Sequence, residues 1–98
     1  MNQNPENPTV PSVQHFVYLL ECADGTLYTG YTVDVPRRVQ THNKGKGARY
    51  TRCRLPVTLR RAWEYETKRA ALQAEYRIKQ LPRHAKLALV QHEKTATP

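Results

Sequence analysis

The sequence predicts a small α/β sandwich of the α+β kind: a three-stranded antiparallel sheet flanked by three helices, in the order ββαβαα. Three observations predict it. Residues His15 to Cys22 (HFVYLLEC) form a nearly continuous apolar run with aromatic and β-branched side chains, and a turn follows. Residues Val57 to Tyr65 alternate with the period of a strand. Two later segments repeat apolar residues at helical spacing behind a capping threonine and a proline. A chain of 98 residues has room for one domain with a modest core.

Residues 1–14 (MNQNPENPTVPSVQ) carry three prolines and no apolar periodicity, and are read as a disordered tail. The folded unit is expected over 15–91, with 92–98 frayed. The first strand, 15–22, reads as buried on both faces. Ala23-Asp24-Gly25 then turns the chain, and Thr26 to Tyr31 returns as the second strand. Two hairpins are open to this turn. A two-residue Asp24-Gly25 loop would pair Cys22 with Leu27 and send Tyr18 and Tyr28 to opposite faces. A three-residue loop with Gly25 left-handed pairs Cys22 with Thr26, and gathers Tyr18, Leu20, Thr26, Tyr28 and Gly30 on one face. The three-residue loop is expected, because only it brings the tyrosines together.

Asp34 is a suitable N-cap, and Pro36 is tolerated in a first turn whose N–H groups lack partners. A helix over Val35 to Lys44 follows, ended by Gly45. Val35 and Val39 give it an apolar stripe, and Arg38 and His42, at i and i+4, project together beside that stripe. Residues 45–56 (GKGARYTRCRLP) read as a basic loop. In the third strand, Val57, Leu59, Trp63 and Tyr65 share one face, with Thr58, Arg60 and Glu64 on the other. Thr67 caps a second helix, Lys68 to Gln80, with Ala71, Ala74, Ile78 and Leu81 along its buried stripe. Pro82 opens a third, carrying Ala85, Leu87, Leu89 and Val90 inward.

The formal net charge is +8. Its distribution says more: from Val35 to Trp63 there are nine Lys or Arg and no Asp or Glu. Such a run attracts polyanions and releases their counterions on binding. The alternative is a solvated basic face, but the acid-free stretch is long and Tyr50 lies within it. Nucleic acid or another phosphate polymer is the favoured partner, with Arg37, Lys44, Lys46, Arg49, Tyr50, Arg52 and Arg54 as binding candidates. No apolar run approaches the roughly 20 residues of a membrane span. Without the charged-then-apolar order of a signal peptide, a cytoplasmic protein is expected. Cys22 and Cys53 have neither a CxxC partner nor metal-ligand spacing, so reduced thiols are expected and a zinc site is not.

Taken singly, the chemistry-bearing residues are ambiguous. Tyr18 suits a core aromatic, since a phenol with a pKa near 10 needs special surroundings to take a proton at neutral pH. Arg38 suits a phosphate contact or a surface charge. Glu75 sits beside the stripe of Ala71, Ala74 and Ile78, where a carboxylate invites a divalent cation, but Lys79 at i+4 offers it an ordinary helical ion pair.

Together they resemble a known family. Val17-Tyr18-Leu19, Tyr28-Thr29-Gly30, Arg38 and His42, with Glu75 on a later helix, look like the signature of the GIY-YIG nucleases. The likeness covers 15–91 and is nearest to the YhbQ-like group of short, stand-alone bacterial proteins. That group is marked by LYTG (Leu27 to Gly30), HN-x-GKGA-x-YT (His42 to Thr51) and E-x-x-IK (Glu75 to Lys79). The resemblance implies a metal-dependent endonuclease hydrolysing phosphodiester bonds in DNA, selective for structure more than for sequence and at work in repair or processing. It implies that Glu75 holds one Mg²⁺ or Mn²⁺. Tyr18 would be general base or water-positioner, Tyr28 would assist it by a hydrogen bond, Arg38 would neutralise phosphate charge, and His42 would assist proton transfer or orient the phosphate. Neither a small-molecule cofactor nor a protein partner is implied. A non-catalytic module binding DNA or RNA on the same scaffold is the alternative. The chain departs from the family pattern in Phe16-Val17 before Tyr18, and in Thr26 where many family nucleases carry a lysine.

Overall fold

The protein is described by a computed structural model over residues 13–91. The tail expectations for 1–12 and 92–98 lie outside the described residues. Strand β1 (His15–Glu21) runs down the middle of a three-stranded antiparallel sheet ordered β2-β1-β3, with β2 at Leu27–Thr32 and β3 at Thr58–Tyr65. Helix α1 spans Val35–Asn43, and a one-turn helix, α2, spans Arg49–Arg52. Helices α3 (Lys68–Lys79) and α4 (Arg83–Gln91) follow β3. The observed order is therefore ββααβαα. The loop expected over 45–56 holds one extra helical turn, too short to leave an apolar period in the sequence.

Both faces of β1 are buried, as its continuous apolar run requires. Val17 and Leu19 pack with Trp63, Val90 and the α3 stripe of Ala71, Ala74 and Ile78. Tyr18, Leu20 and Cys22 pack on the opposite face with Val57, Tyr28, Val39 and Leu55. Helices α3 and α4 thus cover one face and α1 the other. Thr67 caps α3 by accepting the Ala70 N–H at 3.0 Å, and Asp34 caps α1 by accepting that of Arg37 at 3.2 Å. Gly45, at φ +77°, ends α1 in the left-handed conformation that glycine adopts without penalty.

The hairpin is the three-residue one. Tyr18 stands opposite Gly30 and Leu20 opposite Tyr28. Cys22 donates to the Thr26 carbonyl at 2.8 Å, and Gly25 has φ +84°. Tyr18 and Tyr28 therefore share a face, the one that meets α1.

The third strand departs from its expected pattern. Leu19 pairs with Arg61 but Leu20 with Leu59, so Arg60 is an extra residue, bulged out of the ladder. Beyond it the alternation changes phase. Val57 and Trp63, expected on one face, belong to the two opposite clusters, and Leu59 is 40 % exposed. The bulged Arg60 forms an ion pair with Glu21 on β1. Of the residues expected inward on α4, Val90 is buried and Ala85, Leu87 and Leu89 are half-buried.

Candidate active site

The site forms where the face of β1 and β2 meets α1. Tyr18 lies across Gly30 on the neighbouring strand: a Cβ there would stand 2.3 Å from the Tyr18 hydroxyl and 2.4 Å from the ring carbon bearing it. The missing side chain is what lets the ring lie down. Its hydroxyl meets His42 Nε2 at 2.9 Å and accepts a long contact, 3.4 Å, from Arg38 Nε. Arg38 and His42, one turn apart on α1, thus converge on one oxygen. The far side of the imidazole meets Thr51 on α2, Nδ1 to Oγ1 at 2.8 Å, and Thr51 donates to the Ala48 carbonyl at 2.9 Å. Tyr18, His42 and Thr51 are at most 1 % exposed. Gly47 closes the pocket, since a Cβ there would fall 2.3 Å from His42 Nδ1.

Burial decides the protonation states. It pushes the Tyr18 phenol above its ordinary pKa of 10, although the hydrogen bond from Arg38 opposes the shift. It pushes His42 below 6.5, and the Arg38 charge adds to that. At neutral pH the pair is a phenol and a neutral imidazole. Tyr18 is not a standing phenolate, but a base able to take its proton lies 2.9 Å away.

Tyr28 enters differently from expectation. It makes no hydrogen bond to Tyr18 among the described residues. Its ring lies edge-on to His42 at 5.4 Å between centroids and stacks on Tyr50 at 5.9 Å, and the Arg54 guanidinium covers Tyr50 at 3.9 Å. The result is a ladder of Tyr18, Tyr28, Tyr50 and Arg54. Tyr50 is 39 % exposed, with its ring engaged by both Tyr28 and Arg54.

The basic residues divide into two groups. Arg54 is engaged internally, with Asp24 Oδ2 at 3.1 Å and the Tyr50 carbonyl at 2.7 Å. Arg37, Lys44, Lys46, Arg49 and Arg52 make no ion pair among the described residues. Arg37 and Arg38 line a cleft of about 390 Å³ with Thr32, Asp34 and Thr41. A second cleft, beside Thr26 and Tyr50, receives Arg83 and Lys86 from α4, two cations outside the basic run from Val35 to Trp63.

Glu75 approaches from α3. Its side chain is 18 % exposed and pairs at 3.2 Å with Lys79, which is 48 % exposed, so the helical ion pair is present with its carboxylate end mostly covered. The Glu75 charge contributes to the raised Tyr18 pKa, which ties it electrostatically to the cluster. Among the described residues no three His, Cys, Asp or Glu gather as a metal cluster. A single carboxylate of this kind suits a hard cation that keeps waters and shares phosphate oxygens, and does not suit zinc.

Residues 14–88 match the model of the GIY-YIG catalytic domain. The chain belongs to the GIY-YIG family. Relatives include a UPF0213 protein of Halobacterium salinarum, 60 % identical over 75 residues and covering 76 % of this chain and 97 % of that one. Another, from Bacillus velezensis, is 54 % identical over 80 residues, covering 82 % and 81 %. The solution NMR structure of the UPF0213 protein BH0048 from Bacillus halodurans superposes with a TM-score of 0.52 at 51 % identity, covering 79 % of this chain and 82 % of that one. GIY-YIG proteins are usually endonucleases acting on nucleic acid. No helix among the described residues is long and apolar enough to cross a membrane.

Three residues of this GIY-YIG domain had no role in the sequence reading. They are Gly47 and Thr51, which hold His42, and Asn43, whose amide brackets Val57 by accepting its N–H at 2.7 Å and donating to its carbonyl at 3.1 Å. All three lie in the HN-x-GKGA-x-YT loop. The loop combines positive charge with small residues that act by shape and by single hydrogen bonds.

Proposed function

We propose that the protein is a metal-dependent endonuclease that hydrolyses phosphodiester bonds in DNA, choosing substrates by shape. The observation that carries this reading is the Tyr18 hydroxyl held between an imidazole at 2.9 Å and a guanidinium at 3.4 Å. A purely structural tyrosine needs one hydrogen-bond partner; this one has a proton acceptor and a cation.

In the proposed reaction a water attacks phosphorus and passes a proton to the Tyr18 oxygen, while Tyr18 passes its own to His42 Nε2. The new P–O bond forms as the bond to the leaving strand breaks, and that oxygen takes a proton from solvent. His42 is left as imidazolium. Relaying the proton spares Tyr18 the phenolate state that its burial disfavours. Arg38 stabilises the charge growing on the phosphate, a contribution of about 3–4 kcal/mol where such donors have been removed. Glu75 would hold one Mg²⁺ or Mn²⁺, which supplies charge neutralisation at the phosphate when bound. Arg37, Lys44, Lys46, Arg49 and Arg52 track the backbone, and Tyr50, 39 % exposed, lies among them.

A second reading, a nucleic-acid-binding module without turnover, is favoured by one observation: Tyr18 is 1 % exposed, so substrate must reach a nearly closed hydroxyl. The deciding experiment is cleavage of single-stranded, duplex, flap and branched DNA with Mg²⁺ or Mn²⁺, beside Glu75→Ala, Tyr18→Phe and Arg38→Ala. The nuclease reading expects cutting that all three variants lose while Glu75→Ala still binds. Tight binding by the wild type without cutting in either metal would replace it with the second reading.

A further inference from the structure

We propose that Thr51 is a positioning residue that fixes His42 in its Nδ1–H tautomer, leaving Nε2 as an unprotonated acceptor aimed at the Tyr18 hydroxyl. The assignment follows from counting hydrogens. Four contacts run in series: Arg38 Nε to Tyr18 Oη at 3.4 Å, Oη to His42 Nε2 at 2.9 Å, Nδ1 to Thr51 Oγ1 at 2.8 Å, and Oγ1 to the Ala48 carbonyl at 2.9 Å. Arg38 can only donate and the carbonyl can only accept. Between these fixed ends each of Tyr18, His42 and Thr51 has one hydrogen to give.

If every hydrogen points from Arg38 towards Ala48, each donor has an acceptor. Arg38 donates to Tyr18, Tyr18 to Nε2, Nδ1 to Thr51, and Thr51 to the carbonyl. In the opposite arrangement Thr51 donates to Nδ1 and Nε2–H donates to Tyr18. The Tyr18 hydroxyl then receives two hydrogens and has nowhere to send its own, at 1 % exposure. A buried donor without a partner costs about 1–3 kcal/mol, so the first arrangement prevails. In the resting site an imidazolium fails for the same reason, since both of its nitrogens donate.

Thr51 is suited to this task by where it sits. The single turn of α2 brings its backbone N–H to 3.1 Å from the Ala48 carbonyl, so hydroxyl and amide converge on one acceptor and the hydroxyl's lone pairs are left facing His42. Gly47 lets the same loop close against the imidazole; with a Cβ 2.3 Å from Nδ1 the ring could not keep its place. The loop therefore orients a histidine as well as carrying charge, and serine is the only other side chain that offers the same hydroxyl without a longer stem.

The catalytic consequence rests on the nuclease reading; the tautomer does not. Two measurements separate them. Long-range ¹H–¹⁵N spectra of the His42 ring, recorded on the full chain at neutral pH without nucleic acid, are expected to show Nδ1 protonated and Nε2 bare. The opposite tautomer in the wild type overturns the proposal whether or not the protein cuts DNA. Thr51→Val is expected to lose or mix the tautomer, and Thr51→Ser to keep it. In the cleavage assay Thr51→Val should lower kcat about 10–100-fold, as removing an orienting partner does elsewhere, with DNA binding unchanged, while Thr51→Ser stays within a few-fold of wild type. Wild-type kcat in a folded Thr51→Val variant would overturn the positioning role. If Thr51→Val does not fold, the wild-type and Thr51→Ser spectra still decide the assignment.

Discussion

Replacing Gly30 with alanine puts a methyl group where the Tyr18 ring lies. The new Cβ would stand 2.3 Å from the hydroxyl oxygen, 2.4 Å from the carbon bearing it and 2.9 Å from a neighbouring ring carbon. The ring has no room to retreat, being 1 % exposed and held by His42. Overpacking of this kind costs about 1–3 kcal/mol. Displacing the hydroxyl from His42 leaves two buried polar groups short of a partner, for about 1–3 kcal/mol more. Alanine returns roughly 0.4–1 kcal/mol by stiffening the unfolded chain, so the net destabilisation is about 1–6 kcal/mol. For a domain of this size each kcal/mol lowers Tm by about 4–8 °C. Thermal melts followed by far-UV circular dichroism, with urea midpoints alongside, measure it. Tyr18→Phe removes the 2.3 Å contact but leaves the one at 2.4 Å, so Gly30→Ala should stay destabilising in that background. Gly25→Ala is the contrast: nothing lies within 4 Å and only its φ of +84° is strained, so it should cost about 1–2 kcal/mol and leave the site intact. A Gly30→Ala protein melting within about 2 °C of wild type would refute the claim that this glycine seats the tyrosine.

Asn43→Ala removes both hydrogen bonds to Val57 and should destabilise by about 1–3 kcal/mol, read from urea midpoints. Removing Lys46, Arg49 and Arg52 together should weaken DNA binding for every sequence and flatten the salt slope by about 0.9 per lost duplex phosphate contact. Arg54→Ala, by contrast, should show mainly as a stability loss of about 1 kcal/mol from its contacts with Asp24 and Tyr50; an Arg54 effect confined to the salt slope would count against that division. For His42 the folded pKa is depressed below 6.5, so between the two values the unfolded chain binds the extra proton. Its contribution to stability is complete above about pH 6.5 and falls as pH drops from there, by up to about 1.4 kcal/mol per pH unit. His42→Gln should be less stable at neutral pH yet show a shallower loss over that range.

Much of this could be read from the residues because their chemistry was local. The Ala23-Asp24-Gly25 turn admits two hairpin registers, and the three-residue loop is expected because only it places both tyrosines on one face. Asp34 and Thr67 announced their helices, and the Ala71, Ala74 and Ile78 stripe marked the buried face of α3. What escaped depended on partners distant in sequence. The alternation of Val57 to Tyr65 looks unbroken because a bulge at Arg60 leaves no mark in composition. Helical spacing put Arg38 and His42 on one side of α1 but could not say that both would reach the Tyr18 hydroxyl. Gly30, Gly47 and Thr51 act by shape or by a single hydrogen, properties that neither hydropathy nor charge registers. Arg54 counted in the sequence as one more cation, and its acceptor, Asp24, lies 30 residues away.

That Asp24–Arg54 contact also bears on the order in which the molecule assembles. The hairpin turn can close on a microsecond scale, about 1–10 μs, because its contacts are local. Its other partners arrive later: Arg54 from 30 residues away, and Arg83, which donates to the Gly25 carbonyl, from 58. The turn is thus a dock completed early and occupied late. Proteins open locally with free energies below that of global unfolding. A local opening of the loop from Gly45 to Pro56 would take Thr51 from His42 while leaving the β1–β2 ladder closed. The competence of the site would then follow an equilibrium separate from global unfolding, and its expected sign is exchange at the amide of Thr51 ahead of Leu19 and Leu20.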